Sequence, residues 1–232
     1  MISISIFGAS GRMGQAIAEA AELRDDVRIG ELRPDVFVDF SVPDAVEEHL
    51  ATARSAGKPI LIGTTGLSAE HQEMIDAAAA EVAVIQAANT SLGVNLLARF
   101  VRDAAARLGD DWDIEIVEMH HRLKADAPSG TALLLGRAAA AGRGVDLASA
   151  ADRPRDGITG AREPGRIGLA SLRGGTVAGD HQVIFAAEGE RIELGHRAES
   201  RAIFARGAIE AALWLSSRPP GRYTMADVLG LG

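Results

Sequence analysis

The chain contains no cysteine. Disulfides and thiolate-ligated metals are therefore excluded, and the absence fits a reducing compartment. Basic charge is also short: 24 Lys and Arg stand against 32 Asp and Glu, for a net charge of -8. Gripping a nucleic acid backbone calls for a basic surface, so nucleic acid is not expected as a partner. No apolar run approaches the ~18 residues of a membrane span, and the chain opens on an alternating strand pattern instead of a signal-peptide pattern. A cytoplasmic protein with no membrane partner is the expectation. Internal repeats and low-complexity linkers are also missing. What is present is 232 residues, 47% of them hydrophobic, enough for a full core in one large domain or two modest ones.

The first half repeats strand, loop, helix. Ile2, Ile4 and Ile6 alternate with serines, and a glycine turn then leads into a helix from about Met13 to Leu23. Gly8, Gly11 and Gly14 fall as G-x-x-G-x-x-G, one residue different from the dinucleotide fingerprint. The physics still serves a pyrophosphate: a tight turn at Gly8, close backbone approach at Gly11 and helix-on-strand packing at Gly14. A glycine turn with no nucleotide is the alternative. Val27–Leu32 and Val36–Phe40 both read as strands, yet too few residues separate them for the usual crossover, so one is a short edge strand or irregular. A helix from Ser41 to Ala56, a strand at Pro59–Gly63, a helix from Ser68 to Ala80 and a strand at Val82–Ile85 follow. This rhythm predicts an α/β fold with a Rossmann-like, doubly wound parallel sheet. The polar loops at Gly63–Gly66 and Ala87–Ser91 are expected to line its ligand crevice.

A long helix, Leu92 to Leu108, leads into the second half. Asp113–Met119 alternates as a strand, and Thr131–Ala141 reads as a helix. Gly142–Gly160 reads as a long irregular loop. Short strands are predicted at Arg166–Ala170, Thr176–Gly179, His181–Ala187 and Arg191–His196, then helices at Ile203–Ser216 and Tyr223–Leu229. The second domain is thus expected to be α+β with a mostly antiparallel or mixed sheet. Residues 1–91 with 202–232 are assigned to a dinucleotide-binding domain, and 92–201 to substrate binding and oligomerisation.

Residues 118–131 carry the chemistry. His120, His121, Lys124 and a Ser129-Gly130-Thr131 turn lie between a strand exit and a helix entrance, which suits proton transfer beside a bound anion. Taken singly, each has a plain reading: histidines hydrogen-bonded at a strand end, a solvated lysine, Asp126 as a turn residue, a helix start. A zinc site lacks the supporting ligand spacing, so no metal is expected.

Together these residues resemble the most diagnostic segment of the dihydrodipicolinate reductases, enzymes of the diaminopimelate and lysine route. The likeness runs along nearly the whole chain. Glu118-x-His120-His121-x-x-Lys124-x-Asp126-Ala127-Pro128-Ser129-Gly130-Thr131-Ala132 is similar to that family's substrate and catalytic motif. Gly8-Ala9-Ser10-Gly11-Arg12-Met13-Gly14 resembles its cofactor loop, and Gly63-Thr64-Thr65-Gly66 and Ala87-Ala88-Asn89 its further cofactor contacts. Two departures stand out: the segment before Val36 is short, and Thr90 occupies a position where an aromatic is common.

The resemblance implies NADPH- or NADH-dependent reduction of a cyclic dicarboxylic imine, with loss of water from the 4-hydroxy form, giving tetrahydrodipicolinate. It implies His120 as acid/base and Lys124 as proton donor. His121 and the backbone at Gly130 and Thr131 would hold a carboxylate. The cofactor would contact Gly8, Ala9, Ser10, Gly11, Arg12, Met13, Arg33, Gly63, Thr64, Thr65, Ala87, Ala88, Asn89 and Thr90. Arg33 suits a 2′-phosphate, while Glu31 stands where an acid would meet a ribose hydroxyl. The family points to a homotetramer built through the sheet of the second domain. The alternatives are a related enzyme such as an aspartate dehydrogenase, or an inactive nucleotide-binding regulator.

Overall fold

The structure, a computed structural model, describes residues 1–30, 32–152 and 155–231. In chain order the elements are β1 Ile2–Phe7, α1 Arg12–Glu22, β2 Val27–Ile29, β3 Val36–Asp39, α2 Val46–Ala56, β4 Ile60–Ile62, α3 Ala69–Ala79, β5 Ala83–Gln86 and α4 Leu92–Arg107. They continue as β6 Asp113–His120, α5 Gly130–Arg143, α6 Leu147–Ala150, β7 Ala151–Asp152, β8 Ile167–Arg173, β9 Gly179–Ala187, β10 Glu190–Ala198, α7 Ala202–Leu215, β11 Gly221–Tyr223 and α8 Met225–Val228. The chain forms two compact units, Met1–Leu92 with Arg201–Gly232, and Gly93–Ser200.

The first unit is a six-stranded sheet ordered β11-β5-β4-β3-β1-β2, and every pairing in it is parallel. Parallel strands covered on both faces carry continuous apolar runs, and Ile60–Ile62 is buried at each position. Val36 and Val38 join Ile4, Ile17, Leu61, Ile85 and the α7 residues Ala208 and Ile209 in one core. Phe37, one residue out of phase, joins Val46, Leu50, Ile60, Ile62, Ile75 and Val84 in another, as strand alternation requires. Helix ends follow local chemistry. Ser68 accepts from the His71 N–H and closes a capping box on α3. Gly57 ends α2 in the left-handed region at φ 61°.

The structure departs from the sequence reading at two edges. The strand expected over Val27–Leu32 stops at Ile29 and forms edge strand β2. The terminal helix expected over Tyr223–Leu229 is instead β11 followed by α8, with β11 extending the sheet beside β5. Three residues carry too little period to declare a strand; parallel pairing with β5 makes it one.

The second unit holds a five-stranded sheet ordered β10-β9-β6-β8-β7. β10–β9 and β9–β6 are antiparallel, while β6–β8 and β8–β7 are parallel, so the sheet is mixed. β6 alternates half-buried and buried residues along its length. Its buried side packs with Val101 of α4 and Leu135 and Ala139 of α5 around Ile114, Ile116, Ile167, Val183 and Phe185. The strand expected over Thr176–Gly179 does not form, and β9 begins only at Gly179. The irregular stretch expected over Gly142–Gly160 is partly ordered by α6 and β7. Asp146 caps α6, and Leu147 and Ala150, three apart on one face, are both buried. No helix of the described residues is long and apolar enough to cross a membrane.

Candidate active site

In the first unit the neighbours of β1 reverse the strand order, with β3 on one side and β2 on the other. Crevices for ligands open at such a switch, outside the carboxyl ends of the strands. The glycine loop sits there. Gly8 has φ 81°, and a Cβ on it would lie 2.5 Å from the Phe40 carbonyl oxygen. A Cβ on Gly14 would lie 2.4 Å from the Gly8 oxygen. Gly11 donates to that oxygen at 2.9 Å and stands at the N-cap of α1 with no side-chain cap. Ala9, Ser10, Gly11 and Arg12 are exposed and Met13 is half-buried. A side-chain-free cradle opening on an uncapped helix start fits a pyrophosphate, so the residues present fit a dinucleotide.

The other strand-end loops are tied together by Asp39, which is fully buried. One of its oxygens accepts from the Ser41 N–H at 3.0 Å, the Ser41 hydroxyl at 2.5 Å and the Thr64 hydroxyl at 3.1 Å. His49 Nδ1 lies 3.2 Å from the other oxygen, its ring stacked on Phe7. The loops after β3 and β4 are thereby fixed to each other. A Cβ on Gly63 would strike the Phe40 ring at 2.2 Å. Thr64 is buried in this network, while Thr65 and Ala88 are exposed. Asn89 caps the next turn by accepting from the Ser91 N–H at 2.8 Å, and Ala87 is buried, donating to Ile62 at 2.9 Å. Thr90 is 2% exposed, and its hydroxyl is committed to the Phe204 carbonyl at 2.7 Å. Arg33 is exposed on a turn at φ 52°. Because β2 ends at Ile29, strand alternation does not set its direction. Glu31 lies outside the described residues.

In the second unit a single carboxylate organises the motif. Glu118, 1% exposed, accepts from Arg173 at 2.8 and 2.9 Å through both oxygens. One oxygen also lies 2.6 Å from His120 Nδ1 and the other accepts from the Ser129 N–H at 3.2 Å. Burial pushes this carboxyl up, but hydrogen bonds from Arg173, His120 and Ser171 pull it further down, to about 2. It is an anion at neutral pH. Residues two apart on a strand share a face, which puts Glu118 and His120 together. Pairing brings the rest: Glu118 stands opposite His181 on β9, and His120 opposite Arg173 on β8. The His120 and His181 rings meet edge to face at 5.1 Å. Burial, and next the neighbouring His120, pushes His181 down to about 4.

His120 is 9% exposed. Lys124 donates to both oxygens of Asp126, at 2.8 and 2.9 Å, which holds the Asp126 carboxyl below its usual range. Arg173 also donates to the Asp126 carbonyl at 2.7 Å, so the lysine loop and the histidine strand hang on one guanidinium. His121 is half-buried just past the strand end. Ser129 caps α5 by accepting from the Ala132 N–H at 3.1 Å and lies 3.0 Å from His181 Nε2. Gly130 and Thr131 occupy the first turn of that helix, and nothing lies within 4 Å of where a Gly130 Cβ would be. The first turn of a helix carries the positive end of its dipole, which suits a carboxylate. Among the described residues no group of three or more His, Cys, Asp or Glu is placed to hold a metal ion.

The structure thus links His120, Lys124 and the start of α5 through Glu118, Arg173 and Asp126. Sequence reasoning gave no role to Glu118, Arg173 or His181. A same-face signal for Glu118 was present two residues before His120. Arg173 and His181 arrive through strand register, which no local pattern announces.

Two family models, described as the N-terminus and the C-terminus of dihydrodipicolinate reductase, match residues 29–90 and 93–229. A 4-hydroxy-tetrahydrodipicolinate reductase from Zymomonas mobilis is 57% identical over 248 residues, spanning 99% of this chain and 98% of that protein. One from Rhodopseudomonas palustris is 54% identical, spanning 96% and 82%. The solved structure of a dipicolinate-bound dihydrodipicolinate reductase from Paenisporosarcina sp. TG-14 shares the fold at TM-score 0.79, with 24% identity over 98% of both chains. The aspartate dehydrogenase alternative is set aside by these identities. Matched in both halves, and identical to a relative at more than half of the positions over nearly its full length, the chain belongs to the dihydrodipicolinate reductases.

Proposed function

We propose that this chain reduces 4-hydroxy-tetrahydrodipicolinate to tetrahydrodipicolinate with NADPH or NADH, as a step of diaminopimelate and lysine synthesis. The observation that carries the reading is the joining of His120, Lys124 and the α5 start through Glu118 and Arg173. The reduced nicotinamide supplies the hydride when bound. The chain supplies the rest. The cradle of Gly8, Ala9, Ser10, Gly11, Arg12 and Met13 holds the pyrophosphate, and the loops at Gly63–Thr65 and Ala87–Thr90 wall the remainder of the cofactor. His121 and the N–H groups at Gly130 and Thr131 hold a substrate carboxylate. The 4-hydroxy form loses water to give a conjugated imine, and hydride addition to that imine leaves a carbanion-like carbon that needs a proton; Lys124 donates it, and His120 acts as acid and base at Nε2. An inactive regulator would have no use for a buried carboxylate aligning a histidine beside an anion site.

Units 1–91 with 202–232 and 92–201 take the dinucleotide-binding and substrate-binding roles. The chain works in the cytoplasm as a homotetramer. The face of the second sheet that carries Val117, Met119 and Leu172 is not fully buried, and Leu172 is 51% exposed; a second copy covers it. The decisive assay supplies the synthase product in situ and follows NADPH and NADH oxidation. Loss of oxidation when synthase is omitted is expected, and no turnover with either cofactor defeats the reading. Light scattering showing only monomer at micromolar concentration defeats the tetramer.

A further inference from the structure

Glu118 exchanges no proton in the function proposed above, yet it is 1% exposed and tied to three other groups. It receives the Arg173 guanidinium, the Ser129 N–H and His120 Nδ1 at once. An ionised carboxylate can only accept hydrogen bonds. At 2.6 Å from it, His120 Nδ1 must therefore carry the proton. Nε2 is then left as the nitrogen that gains or loses one. It points toward Gly179, where an added Cβ would lie 3.0 Å from Nε2, so a glycine keeps that nitrogen clear.

We propose that Glu118 is the positioning residue of this site. It holds His120 in the Nδ1–H tautomer with Nε2 toward the reacting atoms, and it fixes the carboxylate-binding start of α5 to the same point. Arg173 keeps the carboxylate charged and oriented by its two-pronged bond. Around His120 stand Glu118 on its own strand, Arg173 opposite it on β8 and His181 from β9. His181 completes the frame by reaching Ser129 at 3.0 Å, so the helix start is braced from two strands. One carboxylate sets the distance between the acid/base nitrogen and the anion site, which is the spacing a rigid dicarboxylate reads. This inference rests on the proposed role of His120.

The test begins with the wild-type protein, labelled with nitrogen-15 at histidine and with His120→Gln used for assignment. Long-range proton–nitrogen correlations are expected to show His120 protonated at Nδ1 near neutral pH; an Nε2–H tautomer overturns the proposal without any appeal to variants. Glu118→Gln then removes the charge at constant shape. Its kcat is expected to fall about a hundredfold, by more than its KM rises, with His120 no longer in one tautomer. Arg173→Lys, which keeps the charge and loses the fork, should fall between. A folded Glu118→Gln protein with turnover within twofold of wild type overturns the positioning role alone, provided His120→Gln is inactive. If His120→Gln turns over normally, the role of His120 and this inference fail together. If Glu118→Gln does not fold, the wild-type tautomer and Arg173→Lys decide.

Discussion

The two units build their sites from opposite materials. In the first, the cradle is made of backbone and of missing side chains: Gly8 and Gly14 sit where a Cβ would collide with main chain at 2.5 and 2.4 Å. In the second, the site is made of charged side chains, joined across three strands and a helix start. A backbone site tolerates no added atom and depends little on charge. A side-chain site tolerates packing changes but fails when one member of a buried ionic group is lost. The first is therefore rigid by sterics and the second by electrostatics, and each breaks in its own way.

The sharpest break falls in the second unit. His120→Gln and Lys124→Ala are each expected to lower kcat by about a hundredfold or more in the coupled assay, the scale of a lost general acid or base. Lys124→Ala should leave thermal stability nearly unchanged, because its partner Asp126 is exposed at the surface. Near-normal turnover in both variants would mean that the site has been assigned to the wrong groups.

Gly8→Ala probes the other material. Its φ of 81° and the 2.5 Å approach to Phe40 predict strain of about 1–3 kcal/mol and a cofactor KM raised roughly tenfold or more, with kcat much less affected. Gly57→Ala is the control. It has φ 61° but nothing within 4 Å, so it should lose stability by about 1 kcal/mol and leave KM alone. If both glycine variants shift KM equally, the cradle is not steric.

Acid separates the units again. The folded His181 sits near 4, below its ordinary 6.5, because burial disfavours its charge. The unfolded chain takes up that proton first, so the stability tied to neutral His181 is complete above pH 6.5. It declines as pH falls toward 4, by on the order of 3 kcal/mol. Glu118, held near 2 against an ordinary 4.5, adds a second loss between pH 4.5 and 2. Denaturant melts from pH 7.5 to 4 should show the upper window shrink in His181→Gln. A residual slope will remain from His196, which burial also holds down. An unchanged slope would mean that His181 is charged in the folded protein.

The same contrast explains what the sequence disclosed. Glycine spacing and strand–helix rhythm are local, so the parallel sheet and the Gly8–Gly14 cradle were legible from it. The motif at 118–131 was legible because its members are contiguous. β11 was missed because only its pairing with β5 makes Gly221–Tyr223 a strand. α6 was missed because its four residues form against a gap left by Gly136, where a Cβ would lie 3.0 Å from Leu147. Asp39 with His49 and Thr64, and Glu118 with Arg173 and His181, are joined across distances in sequence that only folding closes.

The smallest effect is expected where the two materials meet, at Arg33. Its turn is mounted firmly: Pro34 is buried, and Asp35 binds Ser3 in both directions, accepting from its N–H at 2.9 Å and donating to its carbonyl at 2.7 Å. The Arg33 side chain is nonetheless exposed, so a phosphate contact there is screened and contributes about 1 kcal/mol at most. Arg33→Ala should thus lower kcat/KM for NADPH about fivefold and leave NADH within twofold. The φ of 52° supplies a second handle. Arg33→Gly removes the same charge but relieves the left-handed conformation, so it should match Arg33→Ala in cofactor preference while being about 1 kcal/mol more stable. Equal preference in the two variants assigns the effect to the guanidinium; a difference between them assigns it to the shape of the turn. A strong NADH preference that neither variant changes would make Arg33 a solvated turn residue and turn attention to Glu31 as the ribose contact.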